Sequence, residues 1–156
     1  ASMPQAGLPI RGTLSLADLP DGSAFPMVRA RIYQGGALVE ELPYVDVAPS
    51  GAFTVYVSTQ GEYSLNVKAS HWLGQAVGGI NVGPTGASGI AFSLLNGDVD
   101  DDNVVTVFDY IVLSDAFDTV DTDWGFNSNA DLDCDGAVTV FDYNILSNNF
   151  DLVGDE

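Results

Sequence analysis

The sequence predicts an α+β protein that is mainly β: a sandwich of about seven short strands over residues 1–95, then a small helical module over residues 96–156. Three observations predict it. Apolar residues alternate with period two from residue 10 to residue 95, and helical spacing appears only beyond residue 106. An acidic dozen, DVDDDNVVTVFD at 98–109, recurs thirty-three positions later as DLDCDGAVTVFD at 131–142.

The strands come first. Ile10, Gly12, Leu14 and Leu16 alternate, as do Val28, Ala30 and Ile32, then Phe53, Val55 and Val57, then Tyr63, Leu65 and Val67, and finally Ile90, Phe92 and Leu94. The stretches from Val39 to Val47 and from Ala76 to Val82 complete the set, with an extended lead, ASMPQAGLPI, in front. Short alternating runs separated by turn residues predict an immunoglobulin-like β-sandwich. If Phe53, Val55 and Val57 face the core, Thr54 and Tyr56 face outward, and the same parity exposes Tyr33 and Tyr44. Tyr33, Tyr44, Tyr56 and Trp72 are therefore a candidate patch for stacking sugar rings or seating a partner. His71 is the only histidine, which leaves too few parts for a His-based metal site or a catalytic triad.

Charge divides the chain at the same place. Residues 96–156 hold sixteen Asp and Glu and no Lys or Arg, whereas residues 1–95 hold six acids with Arg11, Arg29, Arg31 and Lys68. Nucleic acid is excluded as a partner by this balance, since phosphate binding needs Lys and Arg to release counterions. So many carboxylates on so short a segment oppose compaction unless a cation neutralises them, and the apolar content of VVTVFDYIVLSDAF argues for a folded segment. Cys134 is the only cysteine, so no intrachain disulfide forms. The apolar runs are broken well short of the roughly 20 residues of a membrane span, and ASMPQAGLP has neither the basic nor the apolar region of a secretory leader.

Each dozen fits the twelve-residue loop that wraps Ca2+ in EF-hands, with side chains at positions 1, 3, 5 and 12 and a carbonyl at position 7. The first loop supplies Asp98, Asp100, Asp102 and Asp109 with the carbonyl of Val104, and the second supplies Asp131, Asp133, Asp135 and Asp142 with that of Ala137. Thr106 and Thr139 hold position 9, suited to a ligand held directly or through water. Position 6 needs a left-handed backbone, which Asn103 and Gly136 tolerate. Val105 and Val138, at position 8, are expected in the core, tying the loops together. Cys134, at position 4, is expected at the surface. Two calcium ions are the predicted cofactors. Asp118, Asp121 and Asp123, between the loops, read as a solvated acidic turn. After each loop, Tyr110, Leu113 and Phe117, or Tyr143, Leu146 and Phe150, fall at i, i+3 and i+7, one face of a helix. No helix is predicted before either loop.

A loop followed by a single helix, duplicated at this spacing, resembles a dockerin, the calcium-dependent docking module of cellulosomes and other extracellular bacterial assemblies. The resemblance covers residues 96–151. It implies a secreted or cell-surface location and docking through the helices and loop positions 10 and 11, here Val107 and Phe108, then Val140 and Phe141. The stretch PSGAFTVYVSTQGEYSLNVKASHWL resembles carboxypeptidase-regulatory-like and Cna-B-like sandwich domains, which are mostly non-catalytic extracellular spacers. Lys68 lies in a late strand rather than the first, so the Lys–Asn crosslink common in Cna-B domains is not expected.

The expectation is a non-catalytic, extracellular, calcium-binding assembly protein. Its dockerin-like module docks on a β-sandwich, either a cohesin-like protein or the next copy of the same chain, which would build a filament. The alternative is a carbohydrate-binding module carrying a docking module. An enzyme is not expected, because no nucleophile elbow, zinc motif or phosphate loop is present.

Overall fold

The computed structural model describes residues 7–155. Seven strands, β1 (Leu8–Leu16), β2 (Val28–Gln34), β3 (Ala37–Leu42), β4 (Ala52–Val57), β5 (Gly61–Ala69), β6 (Gln75–Val82) and β7 (Ala87–Leu94), precede two short helices, α1 (Val107–Asp115) and α2 (Val140–Asn148). The strands form two sheets, ordered β4-β1-β7 and β3-β2-β5-β6. β1 runs antiparallel to β4 and parallel to β7, and every pair in the larger sheet is antiparallel.

Alternation explains the sandwich. Ile10, Leu14, Phe53, Val55 and Phe92 of one sheet pack in the same core as Val28, Ile32, Leu65, Val67 and Ile80 of the other, each fully buried aliphatic side chain contributing about 1.5–3 kcal/mol. Gly12 interrupts the apolar series because a Cβ there would lie 2.7 Å from Cζ of Phe53 and 2.6 Å from the carbonyl oxygen of Ile90. The Phe53 ring fills the space that a larger residue 12 would need.

Four expectations are corrected in this half. The run expected from Val39 to Val47 ends as a strand at Leu42, and Val47 makes only an isolated bridge to Phe53. Trp72 is no surface platform: it is fully buried, its Nε1 donates to the Ala17 carbonyl at 2.8 Å, and its ring stacks on His71 at 3.7 Å. Tyr33 is only half exposed, which leaves Tyr44 and Tyr56 open to solvent. Of the extended lead, Leu8–Ile10 belong to β1, and residues 1–6 lie outside the described residues.

β5 departs from simple alternation. Asn66 and Lys68 point away from the sandwich core, yet both are buried, because the first acidic loop and the C-terminal residues cover that side of the sheet. A second apolar cluster lies beyond: Val99, Val105, Leu113, Ala116, Ala130, Leu132, Val138 and Leu146 pack together with Leu73, which reaches over from the segment after β5.

Fully buried Asn96 fastens the two clusters. Its Nδ2 donates to the Leu132 carbonyl at 2.6 Å, its Oδ1 lies 2.8 Å from Nδ1 of His71, and its own carbonyl accepts from Nδ2 of Asn149 at 2.8 Å. Burial, opposed by the bond to Asn96, lowers the His71 pKa to about 4, so the ring is neutral at pH 7.

The helices follow the repeat. Thr106 and Thr139 are the N-caps, accepting from the backbone N–H of Phe108 and Phe141, and Asp109 and Asp142 close reciprocal capping boxes at the third helical position. Leu113 and Leu146 are buried and Tyr110 and Tyr143 partly exposed, whereas Phe117 and Phe150, expected on the same helix faces, lie just beyond the helix ends and are also partly exposed. Among the described residues nothing covers the groove between these two nine-residue helices, and Tyr110 meets Tyr143 edge-on across it at 5.6 Å.

Candidate metal centre

Each acidic dozen folds into a tight loop whose backbone amides hold its own carboxylates. In the first, Asp98 accepts from the amides of Asp102 and Asn103 at 3.0 and 2.8 Å, and Asp109 accepts from those of Asp100 and Thr106 at 3.0 and 2.7 Å. In the second, Asp131 accepts from Asp135 and Gly136 at 3.1 and 2.9 Å, and Asp142 from Asp133 and Thr139 at 3.1 and 2.7 Å. The two copies agree to about 0.1 Å in every one of these bonds. Asp102 and Asp135 cap the next turn through the amides of Val104 and Ala137. The backbone is left-handed at position 6, Asn103 and Gly136, and also at position 4, Asp101 and Cys134.

This folding gathers the side chains that the spacing selected. Within each set, Asp98, Asp100, Asp102 and Asp109 or Asp131, Asp133, Asp135 and Asp142, carboxylate oxygens approach to within 4.8 Å of one another. Asp98, Asp109 and Asp142 are fully buried. No backbone N–H among the described residues bonds the carbonyl of Val104 or Ala137, so both oxygens are available. The hydroxyls of Thr106 and Thr139 are engaged as helix caps. Asp118, Asp121 and Asp123 join neither cluster; Asp123 instead accepts from the amide of Val120. Cys134 is exposed.

Like charges this close repel by several kcal/mol per pair at an effective dielectric of about 20. The carboxyls respond accordingly. Desolvation first, then the neighbouring aspartates, pushes Asp100 and Asp133 up to about 7, and desolvation also raises Asp98 and Asp131. An all-oxygen set on a flexible loop, with no imidazole or thiolate turned inward, fits a hard divalent ion such as Ca2+ better than zinc.

The loops are stitched crosswise. Val105 and Val138 are fully buried as expected, but their backbones do not pair with each other. Val105 exchanges bonds with Asp151 and Leu152, which follow α2, while Val138 exchanges bonds with Asp118 and Thr119, which follow α1. Val107, Phe108, Val140 and Phe141 stand half or more exposed at the helix starts, and Val140 lines the same groove as Tyr110 and Tyr143.

Sequence reasoning missed Lys68 and Asn96. Lys68 places Nζ 2.9 Å from Oδ2 of Asp98 and 2.6 Å from Oδ1 of Asp101, and Arg29 meets the same Asp101 oxygen at 2.9 Å. Burial raises the Asp101 pKa, but the hydrogen bonds from Arg29 and Lys68 outweigh it and hold the carboxyl below its ordinary range. The signal available was that the sole lysine falls between the core-facing positions of a strand pattern.

The chain shares its fold with chains in two type II cohesin–X-dockerin complexes from Acetivibrio cellulolyticus, one an N-terminal and the other a C-terminal interface mutant. Both alignments cover 95% of this chain and 98% of the other at 18% identity, with TM-scores of 0.73 and 0.74. The structural neighbours are thus parts of protein–protein assemblies, and the likeness establishes a fold that is mainly β. A DUF3823 family protein from Bacteroides ovatus aligns over 58% of this chain and 45% of its own at 12% identity with a TM-score of 0.38, too distant to carry an argument. No protein-family model matches the chain, and no curated protein matches it. No helix among the described residues is long and apolar enough to cross a membrane.

Proposed function

We propose that this protein is a non-catalytic, extracellular assembly component in which residues 96–156 form a dockerin-like module folded by two calcium ions. Asp98, Asp100, Asp102 and Asp109 with the Val104 carbonyl would hold one ion, and Asp131, Asp133, Asp135 and Asp142 with the Ala137 carbonyl the other. Bound calcium supplies the positive charge that lets four carboxylates share one loop. The observation that carries the reading is that the two cages share the same four carboxylate positions and the same amide bonds to the first and last of them, in a chain that aligns over 95% of its length with a component of cohesin–X-dockerin complexes.

The docking surface on this reading is the paired helix starts, Val107 and Phe108 with Val140 and Phe141. Neither helix carries Lys or Arg, so recognition rests on apolar contact and hydrogen bonds rather than on ion pairs. The partner is a β-sandwich, a cohesin-like protein or the sandwich of another copy. Burial of Trp72 weighs against the carbohydrate-binding alternative, because it removes the largest of the proposed stacking rings.

Calorimetry with calcium, followed by binding to an immobilised type II cohesin and electron microscopy of the calcium-loaded protein, tests this reading. Two bound ions per chain, with calcium-dependent capture or filaments that weaken in Phe108→Ala/Phe141→Ala, are expected. Absence of calcium binding would overturn it.

A further inference from the structure

The two cages share all four carboxylates and differ in side-chain charge at one corner. Position 4 is Asp101 in the first loop and Cys134 in the second. Lys68 comes from the covered side of β5 and points its ammonium at the first loop alone. Its Nζ meets Asp98 Oδ2 at 2.9 Å, Asp101 Oδ1 at 2.6 Å, the Ala69 carbonyl at 2.8 Å and the Ser70 carbonyl at 3.2 Å. Only 11% of the side chain is accessible, so those acceptors, not water, hold the charge in place. Asp131, the counterpart of Asp98, has no basic partner among the described residues and accepts only from backbone amides.

We propose that Lys68 is a built-in counter-cation of the first loop, so that the two loops take up calcium in a fixed order, 131–142 first and 98–109 second. The inference rests on the calcium reading above. A resident ammonium has two opposed effects on a site that shares its carboxylate. It relieves the repulsion among Asp98, Asp100, Asp102 and Asp109 and ties the loop to β5, so this cage keeps its shape without metal. It also engages one oxygen of Asp98 and repels a divalent ion placed among the same carboxylates, which weakens uptake. The second loop has neither the support nor the competitor. Asp101 brings one negative charge that Cys134 lacks, but Lys68 and Arg29 bring two positive ones, so the first loop carries one extra unit of positive charge near the ion, and a gap of about tenfold in calcium affinity follows.

The test is a calcium titration of the isotope-labelled full chain, followed through the amides of Asn103 and Gly136, which bond to Asp98 and Asp131 respectively. The expected result is that Gly136 moves at about one-tenth of the calcium concentration that moves Asn103, and that Lys68→Met or the hydrogen-bonding variant Lys68→Gln closes the gap. Simultaneous movement, or Asn103 moving first, overturns the proposal, as does a gap that survives in a folded Lys68 variant. If neither variant folds, the order in the unaltered protein decides. If neither amide responds to calcium, it is the calcium reading that fails, which is a separate outcome.

Discussion

The sandwich and the C-terminal module solve the same problem with different materials. Nineteen buried residues fill the sandwich core, and its strands need no help from charge. The module buries nine apolar residues, one of them borrowed from the sandwich side, and surrounds them with two clusters of four carboxylates. A small core can be afforded only where something offsets that repulsion. On the proposed calcium reading, one half of the chain is held chiefly by its large apolar core, the other by a small core conditional on cations.

The contrast is sharpest when calcium is withdrawn. Chelation should lower the melting temperature of the helical circular-dichroism signal of α1 and α2 more than any other change while, in a Trp124→Phe background that removes the exposed second tryptophan, the buried Trp72 keeps its blue-shifted emission; a red shift in step with helix loss would make the two halves one cooperative unit. Next in size, Asp142→Ala removes a carboxylate that accepts from Asp133 and Thr139 and closes the capping box of α2. It should lower module stability in calcium by about 2 kcal/mol or more in chemical denaturation.

Gly12→Ala acts on the other half. The added methyl group presses on Phe53 and Ile90, costing about 1–3 kcal/mol in the sandwich transition and leaving calcium affinity unchanged in calorimetry.

Acidity separates the halves more gently. Asp100 and Asp133 titrate at about 7, above their ordinary range, so ionisation opposes folding. The calcium-free module therefore gains stability as pH falls through about 7 and loses it as pH rises. Thermal melts in chelator should show the module less stable at about pH 8 than at about pH 6, and saturating calcium should reverse the order because protons compete for the same oxygens. Smallest of all, Tyr56→Ala changes an exposed ring and should shift either melting transition by no more than about 0.5 kcal/mol.

Much of this was legible in the residues. Period-two alternation marked the sandwich core, and the aspartate spacing selected the two carboxylate clusters that the backbone brings together. What escaped has a common cause: it depends on tertiary packing rather than on local pattern. Nothing local to Trp72 distinguishes a surface ring from one stacked on His71, and nothing local to Lys68 announces a loop thirty residues away. Tyr110 and Phe117 share the spacing of Leu113, but only tertiary packing decides which of the three the module can cover. The crosswise pairing of Val105 and Val138 with the segments after the opposite helices likewise comes from the doubled topology rather than from either loop.

That crossing gives the last few residues a disproportionate share of the architecture. Asp151 and Leu152 latch onto Val105, Gly154 donates to the Asn103 carbonyl, and Asp155 bonds Gly74 while accepting from Asn103 and Ala76. They act as a strap passed over loop 98–109 and buckled to the edge of the sheet. Cutting the chain after Phe150 would undo every one of those fastenings and none of the bonds that Asp118 and Thr119 make to Val138, so the earlier repeat, not the one nearest the cut, would be left ajar.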